Sequence, residues 1–321
     1  MKRVVTLLVA ALIMLSSSMS ISAYAVERKF DIDDYTIESF SVMSSDEKLE
    51  VINKFIEAYN PYGIKDLTTE EGQSDEIQLL WVSDSDKLKP DQQAATHQLI
   101  TAQAFLTFVS NYGFYDLSGS DAMLYMLTLA AASGLPDKDE IGFFVFAGHF
   151  YDPDNEQNYV GDTSPTAKTN AQDHYTEAYN RLKTNVNMPI WGDDSVYVIE
   201  KIGRCLHYIQ DACEPHHASN KKAGVSTHSQ FESFVNDNIE SYISDLNSTP
   251  SYYYTSARNK SAGELTKQAA QFSKPLYSSV SSLFIRDNWG NVGKMCTTQA
   301  VYYSAGIIYK LFHECGASFA G

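Results

Sequence analysis

The sequence predicts an all-α protein, a single multi-helix domain running from about residue 81 to residue 321. Three observations predict it. Apolar residues recur at intervals of three and four through most of that stretch, the spacing that gathers them on one face of a helix. Few segments alternate apolar and polar residues over the length of a strand. No internal repeat divides the chain, and a stretch of this length is enough to enclose one large core.

The chain opens with Lys2 and Arg3, an apolar run from Val4 to Leu15, and a serine-rich stretch ending at Ala23-Tyr24-Ala25. This is the form of a secretory signal peptide, residues 1–25, cut after Ala25. The apolar run falls short of the roughly 20 residues that a membrane span requires. An exported, extracellular protein is expected. Residues 26–80 hold about 14 acidic residues against about 5 basic ones, and read as an acidic pro-region or appended segment. Within it, Leu49, Ile52, Phe55 and Ile56 space Glu47–Tyr59 as a short amphipathic helix.

Beyond Lys89-Pro90 the pattern turns helical. Ile100, Ala104, Phe105 and Phe108 share one side of His97–Val109, and Asp121–Ala132 repeats the spacing. Thr166–Thr184, Ser195–Cys213, Phe231–Leu246, Ala262–Phe284 and Gly293–Cys315 complete the expected helices. Cys205 and Cys213 are eight residues apart on one of them, about 12 Å along its axis, and disulfide partners sit within roughly 7 Å. They cannot pair with each other; pairing with Cys296 or Cys315, and free buried thiols, both stay open.

A net charge of -16 argues against a surface that neutralises nucleic-acid phosphates with Lys and Arg. It leaves phosphate chemistry open, because divalent ions would dominate the local field. The histidines point that way. His207 and Asp211 are four apart on a predicted helix, about 6 Å apart at Cβ, so both side chains reach one metal ion. Pro215 interrupts the helix and His217 follows within a turn. His228 and Glu232 form a second pair at the same spacing. One such pair is ordinarily a surface hydrogen bond; two pairs within about 25 residues, with a histidine between them, are a ligand pattern. Farther upstream, His149 begins the acidic turn Phe150-Tyr151-Asp152-Pro153-Asp154, twelve positions after Asp137.

Three strings carry a family resemblance: HFYDPD at His149–Asp154, HYIQDACEPHHASN at His207–Asn220 and HSQFESF at His228–Phe234. With Pro136-Asp137 upstream, the sequence resembles the bacterial zinc-dependent phospholipases C from His97 to the C-terminus. The resemblance implies three zinc ions: one held by Asp137, His149, His207 and Asp211, a second by His217, His228 and Glu232, a third by His97 and Asp211. In the family an N-terminal tryptophan completes the third site, and here Trp81 is the candidate. A peptide nitrogen has no lone pair for zinc, so Trp81 serves only if cleavage after Leu80 frees its amino group. Asp137 is the implied general base, and Phe146 matches an aromatic lining the headgroup pocket. Lys138 departs from the pattern, standing where a choline-cleaving relative has tyrosine.

The activity implied is hydrolysis of phospholipids of the phosphatidylcholine type at the glycerol-side phosphodiester, giving diacylglycerol and a phosphorylated headgroup. The alternatives are a single-strand-specific zinc nuclease, which shares the HYxxDxxxPxH core, and a non-catalytic zinc-binding homologue. HFYDPD and the acidic composition favour lipid over nucleic acid, and Asp137 favours catalysis. Toxin members carry a C-terminal membrane-binding β-sandwich, whereas this sequence ends soon after its last predicted helix. A one-domain monomeric enzyme is therefore expected, touching membrane surfaces transiently through loop aromatics, with Tyr252, Tyr253 and Tyr254 as candidates. His216, His174 and His313 are expected to point away from metal.

Overall fold

Helices form where the apolar spacing called for them, and no strand forms among the residues described by the computed structural model, 30–59, 95–113, 119–140, 146–184 and 193–316. The expected signal peptide and Trp81 lie outside the described residues. In chain order the helices are α1 (Ile37–Ser41), α2 (Ser45–Tyr59), α3 (Ala95–Tyr112), α4 (Gly119–Ser133), α5 (Pro136–Asp139), α6 (Ala167–Thr184), α7 (Asp193–Ala212), α8 (His228–Ile243), α9 (Ser251–Asn259), α10 (Ala262–Ser273) and α11 (Trp289–Glu314).

Two expectations change. The helix foreseen over Ala262–Phe284 stops at Ser273 and gives way to a 3-10 turn, Lys274–Ser279. Pro275 has no amide hydrogen for the carbonyl one turn back, so the α-ladder cannot run through it. At its other end α10 starts on a capping box: the Glu264 N–H donates to Ser261 Oγ, and the Ser261 N–H donates to Glu264 Oε2. Second, Tyr252, Tyr253 and Tyr254 are not in a loop. They sit on α9, where Tyr254 is buried and Tyr253 packs against Tyr302 and Tyr303, its hydroxyl hydrogen-bonded to Gln299 at 2.6 Å.

Helix α7 is central, packed against α4, α6, α10, α11 and α3. Its apolar face (Ile199, Ile202, Leu206, Ile209) enters the main core, which also takes Phe105 and Phe108 of α3 and Phe312 of α11. Phe108 and Phe312 stack with ring centroids 5.8 Å apart. At Gly203, α7 comes so close to α4 that an added Cβ would lie 2.4 Å from Ala132 Cβ and 2.8 Å from the Leu129 carbonyl oxygen. Only a residue without a side chain permits that approach. His207 lies one turn farther along the same face. All four cysteines are free thiols, and burial raises Cys205, Cys213 and Cys296 above the ordinary range.

The acidic N-terminal segment shares this core. Helix α2 packs on α3 and α4, and Phe30, Phe40, Val51, Ile52 and Phe55 are buried in the same apolar cluster as α7. The Ser45 N–H donates to Glu240 Oε2 of α8, and Lys48 is buried with Glu240 as its charge partner. Residues 30–59 are thus a packed layer on the helical bundle. Phe55→Ala is expected to destabilise the whole protein by about 3–5 kcal/mol, seen as one cooperative transition moved to lower temperature. An unmoved transition would mean that the layer melts separately.

Candidate metal centre

Eight side chains from six separate elements meet at one buried point. His97 comes from the first turn of α3, Asp137 from α5, and His149 from the 3-10 turn Ala147–His149. His207 and Asp211 come from the end of α7, His217 from the 3-10 turn His217–Ser219, and His228 and Glu232 from the start of α8. All eight are buried. The structure therefore brings together every metal-ligand candidate of the sequence that lies among the described residues.

Asp211 stands at the middle. Its Oδ2 is 2.9 Å from His149 Nδ1 and 3.1 Å from His207 Nε2, while its Oδ1 is 3.5 Å from His97 Nε2 and 3.8 Å from His217 Nδ1. Asp137 faces it across the pocket, with oxygens 3.6 Å from His207 Nε2 and 3.8 Å from His97 Nε2. On the far side, Glu232 Oε1 lies 2.7 Å from His228 Nε2 and 3.3 Å from His217 Nε2. Three sets have donor atoms within 4.8 Å of one another: His97, Asp137 and His207; His149, His207 and Asp211; and Glu214, His217, His228 and Glu232.

Proton accounting turns this crowd into a ligand set. Gln210 spends both amide hydrogens, on Thr101 Oγ1 and Ser304 Oγ, so its Oε1 accepts from His97 Nδ1 at 2.7 Å. His207 Nδ1 donates to the Ser133 carbonyl and His217 Nδ1 to the His149 carbonyl, each at 2.9 Å. In a neutral imidazole a donating Nδ1 leaves a bare lone pair on Nε2. Three such nitrogens point inward at carboxylates, where they take up either protons or a cation. Both Asp137 oxygens and Asp211 Oδ1 have no hydrogen-bond partner among the described residues. Imidazole nitrogens and carboxylate oxygens suit zinc, and the orphaned oxygens fit a bound ion.

Electrostatics separate the carboxylates. Burial holds the Asp137 carboxyl well above its usual range and, with His207 beside it, pushes His97 well below. Burial would raise Asp211 too, but His207 and His217 hold it well below the ordinary value.

Sequence reasoning missed three residues that shape the site. Gln210 fixes His97. Glu140 receives the Tyr208 hydroxyl and lies 3.7 Å from His149 Nε2. Glu214 is buried beside the second histidine pair. Glu214, three residues before His217, could have been suspected from spacing; Gln210 and Glu140 act on residues distant in sequence. Phe146 is half-buried and stacks on His149, ring centroids 4.8 Å apart. The HFYDPD aspartates turn outward, Asp152 and Asp154 both pairing with Lys274. His216 bonds to Glu214 and Thr227, His174 stacks on Tyr208, and His313 is exposed.

The model of the family described as zinc dependent phospholipase C matches residues 96–283, more than half of the chain. The chain belongs to the zinc-dependent phospholipase C family. Among similar family proteins are a phospholipase C of Paraclostridium bifermentans, 28% identical over 68% of this chain and 58% of the relative, and one of Clostridium perfringens, 24% identical over the same shares. The chain thus spans about 58% of the length of the curated relatives it matches. Two solved structures share its fold: the alpha toxin of Clostridium absonum, TM-score 0.57 at 23% identity over 71% of this chain and 65% of that one, and the alpha-toxin of an avian Clostridium perfringens strain, TM-score 0.55 at 24% identity over 68% and 63%.

Within this family member, Gln210 tests whether outward hydrogen bonds arm the histidines. Gln210→Leu removes the acceptor for His97 Nδ1, and the affinity for one zinc ion is expected to fall about 10–100-fold with the helical circular dichroism kept. Chelator competition measures it, and unchanged zinc binding would refute the role.

Proposed function

We propose that the chain is an exported zinc phospholipase C that hydrolyses the glycerol-side phosphodiester of phosphatidylcholine-type lipids. The observation carrying this reading is the inward convergence of three Nε2 lone pairs and the unpartnered oxygens of Asp137 and Asp211. Family membership supports it. Asp137, His149, His207 and Asp211 would hold one zinc ion, His217, His228 and Glu232 a second, and His97 with Asp211 a third, completed by a freed Trp81 amino group. Zinc supplies Lewis acidity toward phosphate oxygens and makes water acidic enough to attack near neutral pH.

The residues do the rest. Asp137, with no hydrogen-bond donor on its oxygens among the described residues, would take the proton of the attacking water as the new bond to phosphorus forms. The bond from phosphorus to the glycerol oxygen breaks, that oxygen gains a proton, and diacylglycerol and the phosphorylated headgroup leave. Phe146, half-buried and stacked on His149, would offer the headgroup an aromatic face.

We assay phosphatidylcholine and single-stranded DNA with the wild type and Asp137→Asn, before and after chelation. Lipid cleavage by the wild type alone, lost on chelation and restored by Zn²⁺, is expected, with turnover of Asp137→Asn down at least ~100-fold. Zinc content should be three ions per chain in protein cut before Trp81 with residues 30–59 still packed on the bundle, and fewer in uncut protein. DNA cleavage, or full lipid activity without zinc, would sink the reading.

Membrane contact is assigned to a different surface from the α9 tyrosines. Leu283, Phe284 and Ile285 form an exposed apolar run, Phe284 being 98% exposed, and Val225 is also exposed. Exposed apolar runs of this kind mark interaction surfaces. The loop is tied to the centre: Thr227 Oγ1 donates to the Val280 carbonyl at 2.7 Å and pairs with His216 Nε2 at 2.9 Å. Lys221 and Arg286, in cation-π contact with Tyr277 and Trp289, flank it with positive charge suited to lipid phosphate. Phe284→Asp is expected to cut hydrolysis of vesicles about tenfold or more, since one buried aromatic is worth about 1.5–3 kcal/mol, while leaving a monomeric short-chain substrate untouched. Equal effects on both substrates would remove the assignment.

A further inference from the structure

Glu214 is left out of the three zinc ions assigned under the proposed function, yet its carboxylate is fully buried beside His217, His228 and Glu232, and its donor atom lies within 4.8 Å of theirs. Its two oxygens have different tasks. Oε1 lies 2.6 Å from His216 Nδ1. Thr227 gives its only hydroxyl hydrogen to the Val280 carbonyl, so His216 Nε2 must donate to Thr227, and a proton also lies between His216 Nδ1 and Glu214 Oε1. Oε2 accepts the His217 N–H at 2.8 Å and comes within 3.8 Å of His228 Nε2.

Two buried carboxylates, Glu214 and Glu232, share this pocket with His216, His217 and His228, and buried charges in proteins are paired or bound to metal. The spacing suits four donors around one ion. Ligand atoms of a tetrahedral zinc with bonds of about 2.0–2.2 Å lie roughly 3.3–3.6 Å apart. Here the separations run from 2.7 Å for His228 to Glu232, through 3.3 Å for His217 to Glu232, to 3.8 Å for His228 to Glu214, with all four donors within 4.8 Å.

We propose that Glu214 Oε2 is a fourth protein ligand of the second zinc ion, closing a His₂Glu₂ shell with His217, His228 and Glu232. The inference rests on the zinc reading above. Four protein donors fill a tetrahedral shell, as in structural zinc sites, whereas catalytic sites keep a position open. The second ion is then a clamp joining the His217 turn to α8, and the open position falls on the ion held by His97 and Asp211.

The decisive variant is Glu214→Gln, because glutamine keeps every hydrogen bond described. Its amide oxygen still accepts the His217 N–H, and its NH₂ donates to Nδ1 of a neutral His216. Only the anionic donor is lost. Full-length wild type and E214Q are loaded with zinc and titrated with a competing chelator. One ion per chain should bind about tenfold or more weakly in E214Q, with the rest unchanged and the zinc-free melting temperatures alike. Zinc retention equal to wild type would overturn the proposal, and a wild type that binds no zinc would instead overturn the function proposed above. If E214Q does not fold, the crystal structure of zinc-loaded wild type decides: an Oε2–zinc distance of about 2.0–2.2 Å supports the proposal, and one beyond about 3 Å ends it.

Discussion

Three outward hydrogen bonds govern the centre of this protein: His97 to Gln210, His207 to the Ser133 carbonyl, and His217 to the His149 carbonyl. Each removes an imidazole proton from the middle and turns a lone pair toward it. Had the protons pointed inward, the same histidines would have donated hydrogen bonds to Asp137, Asp211 and Glu232, leaving no lone pairs for a metal. Each acceptor belongs to a different part of the fold from the histidine it holds. The bundle must therefore be packed before the ring of donors exists, and once packed it holds buried negative charge that calls for cations. Packing and ion binding are coupled in both directions.

Much of this was legible in the sequence. The i, i+4 pairs His207–Asp211 and His228–Glu232 follow from helix geometry alone, and the helices that carry them form where apolar spacing placed them. His216, expected to point away from metal, bonds to Glu214 and Thr227. What could not be read was the outer layer. Gln210 lies 113 positions from His97, and nothing in the local pattern announces that its amide will be oriented by Thr101 and Ser304. The α9 tyrosines misled for a related reason. They read as loop aromatics in the sequence, but Pro250 opens a helix there and the bundle supplies a place to bury Tyr254.

The acidic N-terminal stretch shows composition and packing giving different impressions. By charge it looks like an appendage, and its helix α2 nevertheless sends Ile52 and Phe55 into the shared core. Surface charge sets what a segment repels, while a few apolar residues at helical spacing decide whether it docks. Lys48 makes the join specific: it is buried where Glu240 of α8 can balance it, so an apolar contact acquires a register.

Gly203 carries a lesson for reading relatives of this chain. It touches no donor, and its contribution is an absence, the missing methyl that lets α7 settle against Ala132 and Leu129. That closeness brings His207, one turn on, within reach of the Ser133 carbonyl at 2.9 Å. A homologue could retain every histidine and carboxylate yet hold its helices farther apart because of one larger residue at this position. A survey that checks only the ligands would count such a chain as intact. Spacing between helices is heritable information too, and here it is written in a glycine.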